Sequence, residues 1–329
     1  MSLLAPTLQA FFTDRLAKQR HASPATILAY RDTFRLLLAF LQQQTGKAPS
    51  DLGFEDLDAP VILAFLDHLE HQRNNSARTR NARLAALRSM FAYAALRHPE
   101  HAELIARVTA IPQKRYDKPI VAFLTDTEIK ALLAAPDATT WIGRRDHTLL
   151  LLAIQTGLRV SELTGLSCAD VTLGSGANVR CTGKGRKQRM TPLTTTTQAV
   201  LRAWLGERSG RPGDPLFCTS TGARLTRDAV ARRITKHAAT AGQRCPSLKS
   251  KRLTPHVMRH TSAMQLLHAG VDTTLIALWL GHEDVRSTQI YLHADMTLKE
   301  RALALTTPPS AKPGRYQPRD RLLAFLESL

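Results

Sequence analysis

At 329 residues the chain is long enough for two domains, and with 43% hydrophobic residues it can bury sizeable cores, which excludes a disordered chain. Forty-five Lys plus Arg against 27 Asp plus Glu give a net charge of +18. A field of that sign points to a polyanion, nucleic acid first, with an ordinary basic enzyme as the competing reading.

The opening "MSLLAPTLQAFFTDRLAKQR" lacks a basic stretch leading into an apolar one, and no apolar run is long enough to span a bilayer. The expected location is the cytoplasm, with no membrane partner. Cys168, Cys181, Cys218 and Cys245 form no CxxC pair, so neither a disulfide framework nor a zinc site is expected.

The first 110 residues read as almost wholly helical. "SPATILAYRDTFRLLLAFLQQQ" opens with Ser23 as N-cap and Pro24 at the first helical position, followed by Ile27, Tyr30, Phe34, Leu37 and Leu41 at helical spacing. "DLDAPVILAFLDHLEHQR" and "SARTRNARLAALRSMFAYAALR" are two further amphipathic helices, the latter with Leu84, Leu87, Phe91 and Ala94 on one stripe. Arg80 and Arg83 on another face, with Arg73 and Arg78 just upstream, are candidate DNA contacts; a solvated basic face is the alternative.

The helical pattern breaks at "AIPQKRYDKPIVAFLT", whose prolines and basic residues mark a linker. Expected boundaries are a helical domain over 1–110, a linker over 111–124, a second domain over 125–300 and a Pro-rich tail with a terminal helix over 301–329. In the second domain, "TDTEIKALLAAP" and "IGRRDHTLLLLAIQTG" read as helices. "GANVRCTGKGRKQRMTPL" reads as short strands about a Gly-Lys-Gly turn, and helices resume to about residue 305. The expected class is mainly α with a small β-sheet.

Several residues carry chemistry. Arg159 in "QTGLRVSELTGL" stands at a helix boundary, where its fork can take a phosphate or a nearby carboxylate. Lys184 sits between two glycines, among Arg180, Arg186, Lys187 and Arg189. It can enter a DNA groove and deliver a proton, or belong to a basic turn that touches backbone phosphates; Arg186 and Lys187 are candidate DNA contacts. In "LTPHVMRHTSAMQLLHAG", Thr254 and Pro255 start a helix whose first turn carries His256 and Arg259 at i and i+3. Gly281 stops the next helix just before His282, and Tyr291 follows nine residues later. Residues 259–281 also read as a repressor-like helix–turn–helix, which would leave Arg159 and Lys184 without a role.

In order, these are Arg159, Lys184, His256, Arg259, His282 and Tyr291. Through "TGLRVSEL", "GKG", "PHVMRHTSA", "LGHE" and "STQIYLHAD" the chain resembles the tyrosine recombinase (phage integrase) family, with Xer-like spacing and no departure among the six. The resemblance covers about residues 5–300. It implies a helical core-binding domain and a mixed catalytic domain that form a C-shaped clamp on double-stranded DNA at a specific site. It also implies a tetramer at synapsis and leaves room for accessory recombinases as partners.

It further implies a 3′-phosphotyrosine intermediate on Tyr291, with Lys184 as general acid to the 5′ oxygen, His256 assisting Tyr291 and binding phosphate, and His282 bonded to phosphate. Arg159 and Arg259 would neutralise the phosphodiester, so the chemistry calls for no metal, ATP or other cofactor. Glu162 is expected to buttress Arg159, and His260 to be structural. The terminal helix is expected to dock on a neighbouring protomer or on its own domain. A mobile-element integrase is the expected role, with Xer-type dimer resolution or a catalytically silent regulator as alternatives.

Overall fold

The computed structural model describes residues 3–117, 121–183, 187–282 and 287–294. Lys184 and Arg186, residues 283–286 and the expected tail 301–329 with its terminal helix lie outside the described residues. The chain divides into two compact units, Met1–Lys118 and Pro119–Leu329.

The first unit is helical. Helix α1 (Leu4–Ala10) runs on in π geometry over Phe11–Gln19. Helix α2 (Pro24–Thr45) is capped by the Ser23 hydroxyl, which accepts from the Thr26 amide, and ends at Gly46 with φ of 71°. Helices α3 (Ala59–His71), α4 (Ala77–Ala94) and α5 (Ala102–Ala110) complete the unit. Leu84, Leu87, Phe91 and Ala94 are all fully buried, packed with Phe34, Leu37 and Phe65. The predicted stripe is therefore the core face of α4.

The basic residues on and just before α4 do not share one environment. Arg73 and Arg78 are exposed, and Arg83 is half-buried, donating to Ala29 O and Thr33 Oγ1. Arg78 and Arg83 line a groove of about 710 Å³ between α2 and α4, with Thr26, Tyr30 and Thr79. Arg80 requires a correction: it is 2% exposed, with Nε 3.4 Å from Glu70 Oε2, so its guanidinium faces an internal carboxylate and offers no charge to an outside phosphate.

The second unit starts with α6 (Asp126–Leu133), held by a reciprocal cap between Thr125 and Glu128. Helix α7 (Trp141–Thr156) forms its central post, packed against α9 (Thr195–Arg208) and α11 (Pro255–His268). Between α8 (Val160–Gly165) and α9 lies an antiparallel sheet of β1 (Val171–Thr172), β2 (Asn178–Thr182) and β3 (Gln188–Pro192), ordered β1-β2-β3. The register sets Val179 opposite Thr191 and Cys181 opposite Arg189. Val179 and Cys181 point into the core, as the two-residue period of a strand requires. Beyond the β2–β3 ladder the Gly183 amide donates to Lys187 O at 2.8 Å.

Helix α10 (Arg227–Arg244) is tied to α7 by a buried charge cluster. Asp146 Oδ1 accepts from Arg145 Nε and Nη2, and its Oδ2 lies 2.9 Å from His237 Nε2. Helices α12 (Thr273–Leu280) and α13 (Gln289–Ala294) pack on α11. Among the described residues, no helix is long and apolar enough to cross a membrane, and no group of three or more His, Cys, Asp or Glu is placed to hold a metal ion.

Candidate active site

The site is built where four chain segments end close to one another. Helix α7 stops at Gly157, which has φ of 62°; a Cβ there would lie 2.5 Å from Leu280 Cδ2. Glycine is thus required both by backbone conformation and by the close approach of α12. The sharp turn places Arg159 as N-cap of α8.

Glu162, one turn on, organises the arginines. Its Oε2 accepts from the Arg159 amide at 2.8 Å and its Oε1 from Arg159 Nη1 at 3.0 Å. Arg189 of β3 reaches the same carboxylate with both ends of its fork, Nη1 to Oε1 at 2.9 Å and Nη2 to Oε2 at 2.8 Å. Burial opposes the charge on Glu162, but the hydrogen bonds from Arg189 and the Arg159 amide more than offset it and hold the carboxyl below its ordinary range. Arg189, one of the cations that crowd the hairpin, is therefore turned inward.

Thr254 caps α11 through Val257 N, as its sequence position requires. His256 in the first turn is exposed, whereas Arg259 is 4% exposed. Arg259 Nη1 donates to Gly157 O and Nη2 to Leu280 O, both at 2.7 Å. Helix α12 ends at Gly281, φ 65°, whose carbonyl accepts from Arg159 Nη2 at 3.0 Å. Arg259 and Arg159 thus hang from consecutive carbonyls at one helix C-terminus, where the helix dipole favours cations. Burial and the nearby Arg159 lower Arg259 to about 10, which leaves it charged at neutral pH.

His282 follows at once, its Nδ1 2.8 Å from Thr288 Oγ1. The Thr288 carbonyl accepts from the Tyr291 amide, starting the turn that presents the tyrosine. Tyr291 is 2% exposed and packs with Val121, Met264, Leu267 and Leu280. Its ring lies nearly parallel to that of His282, centroids 6.4 Å apart, and edge-on to His260 at 5.6 Å. Its hydroxyl is 3.1 Å from His260 Nδ1.

Burial raises the phenol above its ordinary value of 10, against the pull of Arg259 and Arg159. Burial also lowers His260 and His282 to about 4, with neighbouring cations adding to the effect, so both rings are neutral at pH 7.

The structure thus brings Arg159, Arg259, His282 and Tyr291 together. His256 lies at the edge, its ring 6.4 Å from that of His260 and hydrogen-bonded to neither arginine nor tyrosine among the described residues. His260, read from the sequence as structural, is the histidine on the Tyr291 hydroxyl. The signal lay in spacing: His260 is four residues from His256, hence on the same helical face.

The sequence profile of the phage integrase family matches residues 122–297, and that of the phage integrase N-terminal SAM-like domain matches residues 10–98. The chain is 54% identical over 326 residues to the putative integrase/recombinase y4rC of Sinorhizobium fredii, covering 99% of this chain and 98% of the other. It is 33% identical over 289 residues to tyrosine recombinase XerD of Pseudomonas putida, covering 86% and 91%. In fold it is similar to the XerH site-specific recombinase bound to a palindromic difH substrate, with a TM-score of 0.66 at 24% identity over 88% of this chain and 82% of the other. It is also similar to the Tn1549 transposon integrase in complex with transposon right end DNA, with a TM-score of 0.68 at 16% identity over 90% and 98%. The chain belongs to the phage integrase family and is a tyrosine recombinase.

Proposed function

We propose that the protein cuts and rejoins double-stranded DNA at a specific site through a 3′-phosphotyrosine on Tyr291. One observation carries this reading. Two arginines converge on the C-terminal carbonyls of α12, beside the histidine–tyrosine pair. Arg159 and Arg259 neutralise the phosphodiester and its pentacoordinate transition state, and guanidinium N–H groups not engaged by Glu162 or the carbonyls would donate to the phosphate oxygens. His282 and the exposed His256 add hydrogen bonds to the phosphate.

Tyr291 Oη attacks phosphorus, and the 5′ oxygen leaves with a proton from Lys184, the general acid that the family resemblance implies. The phosphotyrosine keeps the energy of the diester, so religation to a second strand needs no ATP, and the arginines supply the charge that a metal would supply elsewhere. The field of +18 speeds encounter with DNA, and Arg73, Arg78 and Lys187, all exposed, are the candidate phosphate contacts. We further propose a tetramer at synapsis. The 54% identity with a putative integrase favours a mobile-element role; the 33% identity with XerD keeps dimer resolution as the second reading.

Tyr291→Phe tests the assignment. The variant binds its DNA site in gel-shift assays but forms no covalent adduct with a nicked suicide duplex. A covalent adduct formed by this variant sinks the reading.

A further inference from the structure

The contact between His260 and Tyr291 has no part in the roles above. Tyr291 is 2% exposed, so its phenolic proton has no direct way out to bulk water. The Tyr291 hydroxyl lies 3.1 Å from His260 Nδ1, its one hydrogen-bond partner among the described residues. The other groups that could take the proton are placed elsewhere. His282 Nδ1 is tied to Thr288 Oγ1, and its ring lies parallel to the tyrosine ring, not at its hydroxyl. His256 is exposed and makes no hydrogen bond to Tyr291 among the described residues. Glu162 already accepts from the Arg159 amide and from the guanidinium groups of Arg159 and Arg189.

We propose that His260 is the general base of strand cleavage: it takes the proton of Tyr291 when a DNA phosphodiester lies against Arg159 and Arg259, and returns it on religation. This rests on Tyr291 being the nucleophile. As the Tyr291 Oη–phosphorus bond forms, the Oη–H bond breaks and the proton moves to His260 Nδ1. The bond from phosphorus to the 5′ oxygen breaks with its electron pair, and that oxygen is protonated by the general acid. Nothing is oxidised or reduced.

The surroundings make this base depend on substrate. His260 faces His256 and Arg259 on its own helix, and His282 and Tyr291 from the segment packed against it. Burial and this cationic company keep its imidazole neutral, which leaves it open as an acceptor, but a weak one. A phosphodiester brings a negative charge into the same space and favours the imidazolium. The tyrosine therefore stays a phenol until DNA is seated.

The test compares His260→Asn with wild type in single-turnover adduct formation on a nicked suicide duplex, from pH 6 to pH 9. Asn places an oxygen near the position of Nδ1 and keeps the hydrogen bond, but it cannot take the proton. The expected result is wild-type DNA binding, a rate at pH 7 lowered by about 10²–10⁴-fold, and a loss that shrinks as pH rises because hydroxide then substitutes for the missing base. In the second arm, His260→Ala recovers adduct formation in proportion to imidazole added to the buffer. A wild-type rate in His260→Asn, a loss equal at every pH, or no response of His260→Ala to imidazole overturns the proposal. Tyr291→Phe separates the two claims: if it forms adducts, the nucleophile is wrong; if it is inert while His260→Asn is unimpaired, only the base is wrong.

Discussion

Glu162 holds two arginines by four hydrogen bonds while its side chain is 3% exposed. It fixes Arg159 at the corner after α7 and pins β3 through Arg189, whose Nη1 would lie 2.9 Å from a Cβ on Gly281. Glu162→Gln preserves shape but leaves the guanidinium groups without a compensating charge. The expected cost is about 1–3 kcal/mol of stability, measured by urea unfolding. Adduct formation on the suicide duplex is expected to slow about tenfold or more, with DNA binding retained.

At this scale the sequence was legible where residue type and order carry the chemistry. Arg159, Arg259, His282 and Tyr291 can be picked out because few other roles suit that series. Arg80 was not legible as an internal residue, because the carboxylate that draws it in, Glu70, comes from another helix. His260 was hidden by its neighbour Arg259, since only the packing of α13 on α11 decides which histidine reaches the tyrosine.

Helix ends were the most readable elements. Ser23 and Thr254 cap as their spacing to the following turn requires, and Gly157 and Gly281 stop helices with positive φ. The π geometry of Phe11–Gln19 was not readable, because a widened turn leaves no sequence period of its own.

Gly143 also looks unremarkable in sequence. It lies in the first turn of α7, its amide donating to Thr140 Oγ1, yet a Cβ there would lie 1.8 Å from Asp137 O. In an open helix, Gly to Ala gains about 1 kcal/mol. Here Gly143→Ala is expected to destabilise the second unit by about 1–3 kcal/mol, because the backbone of 137 must move. Urea unfolding of the variant gives the sign directly.

Each unit of the molecule has its own buried core, and the second unit carries a built-in pH response. His260 and His282 have folded values of about 4 against an ordinary 6.5. The unfolded chain therefore binds their protons first as pH falls. Stability is unaffected by them above about 6.5, declines as pH drops toward about 4, and levels off below. Asp146 and Glu162 act in a lower window: their folded carboxyls titrate below the ordinary range, so their contribution is present above the unfolded carboxylate value and lost beneath it. The thermal midpoint of the second unit is expected to fall between pH 6.5 and pH 4, and replacing both histidines with Asn is expected to flatten that slope.

The pair of carbonyls at Leu280 and Gly281 bears on how such a sequence can drift. Each residue added to a helix rotates the downstream chain by about 100°. One insertion late in α12 would swing the two carbonyls away from Arg259 and Arg159 together, whatever residue was inserted. Leu275 and Leu278 on the same helix are more than half exposed, so the identity of their side chains bears little on that alignment. The short helix is thus tolerant in its letters and strict in its length, so deletions and insertions there would silence a copy long before substitutions at its surface did.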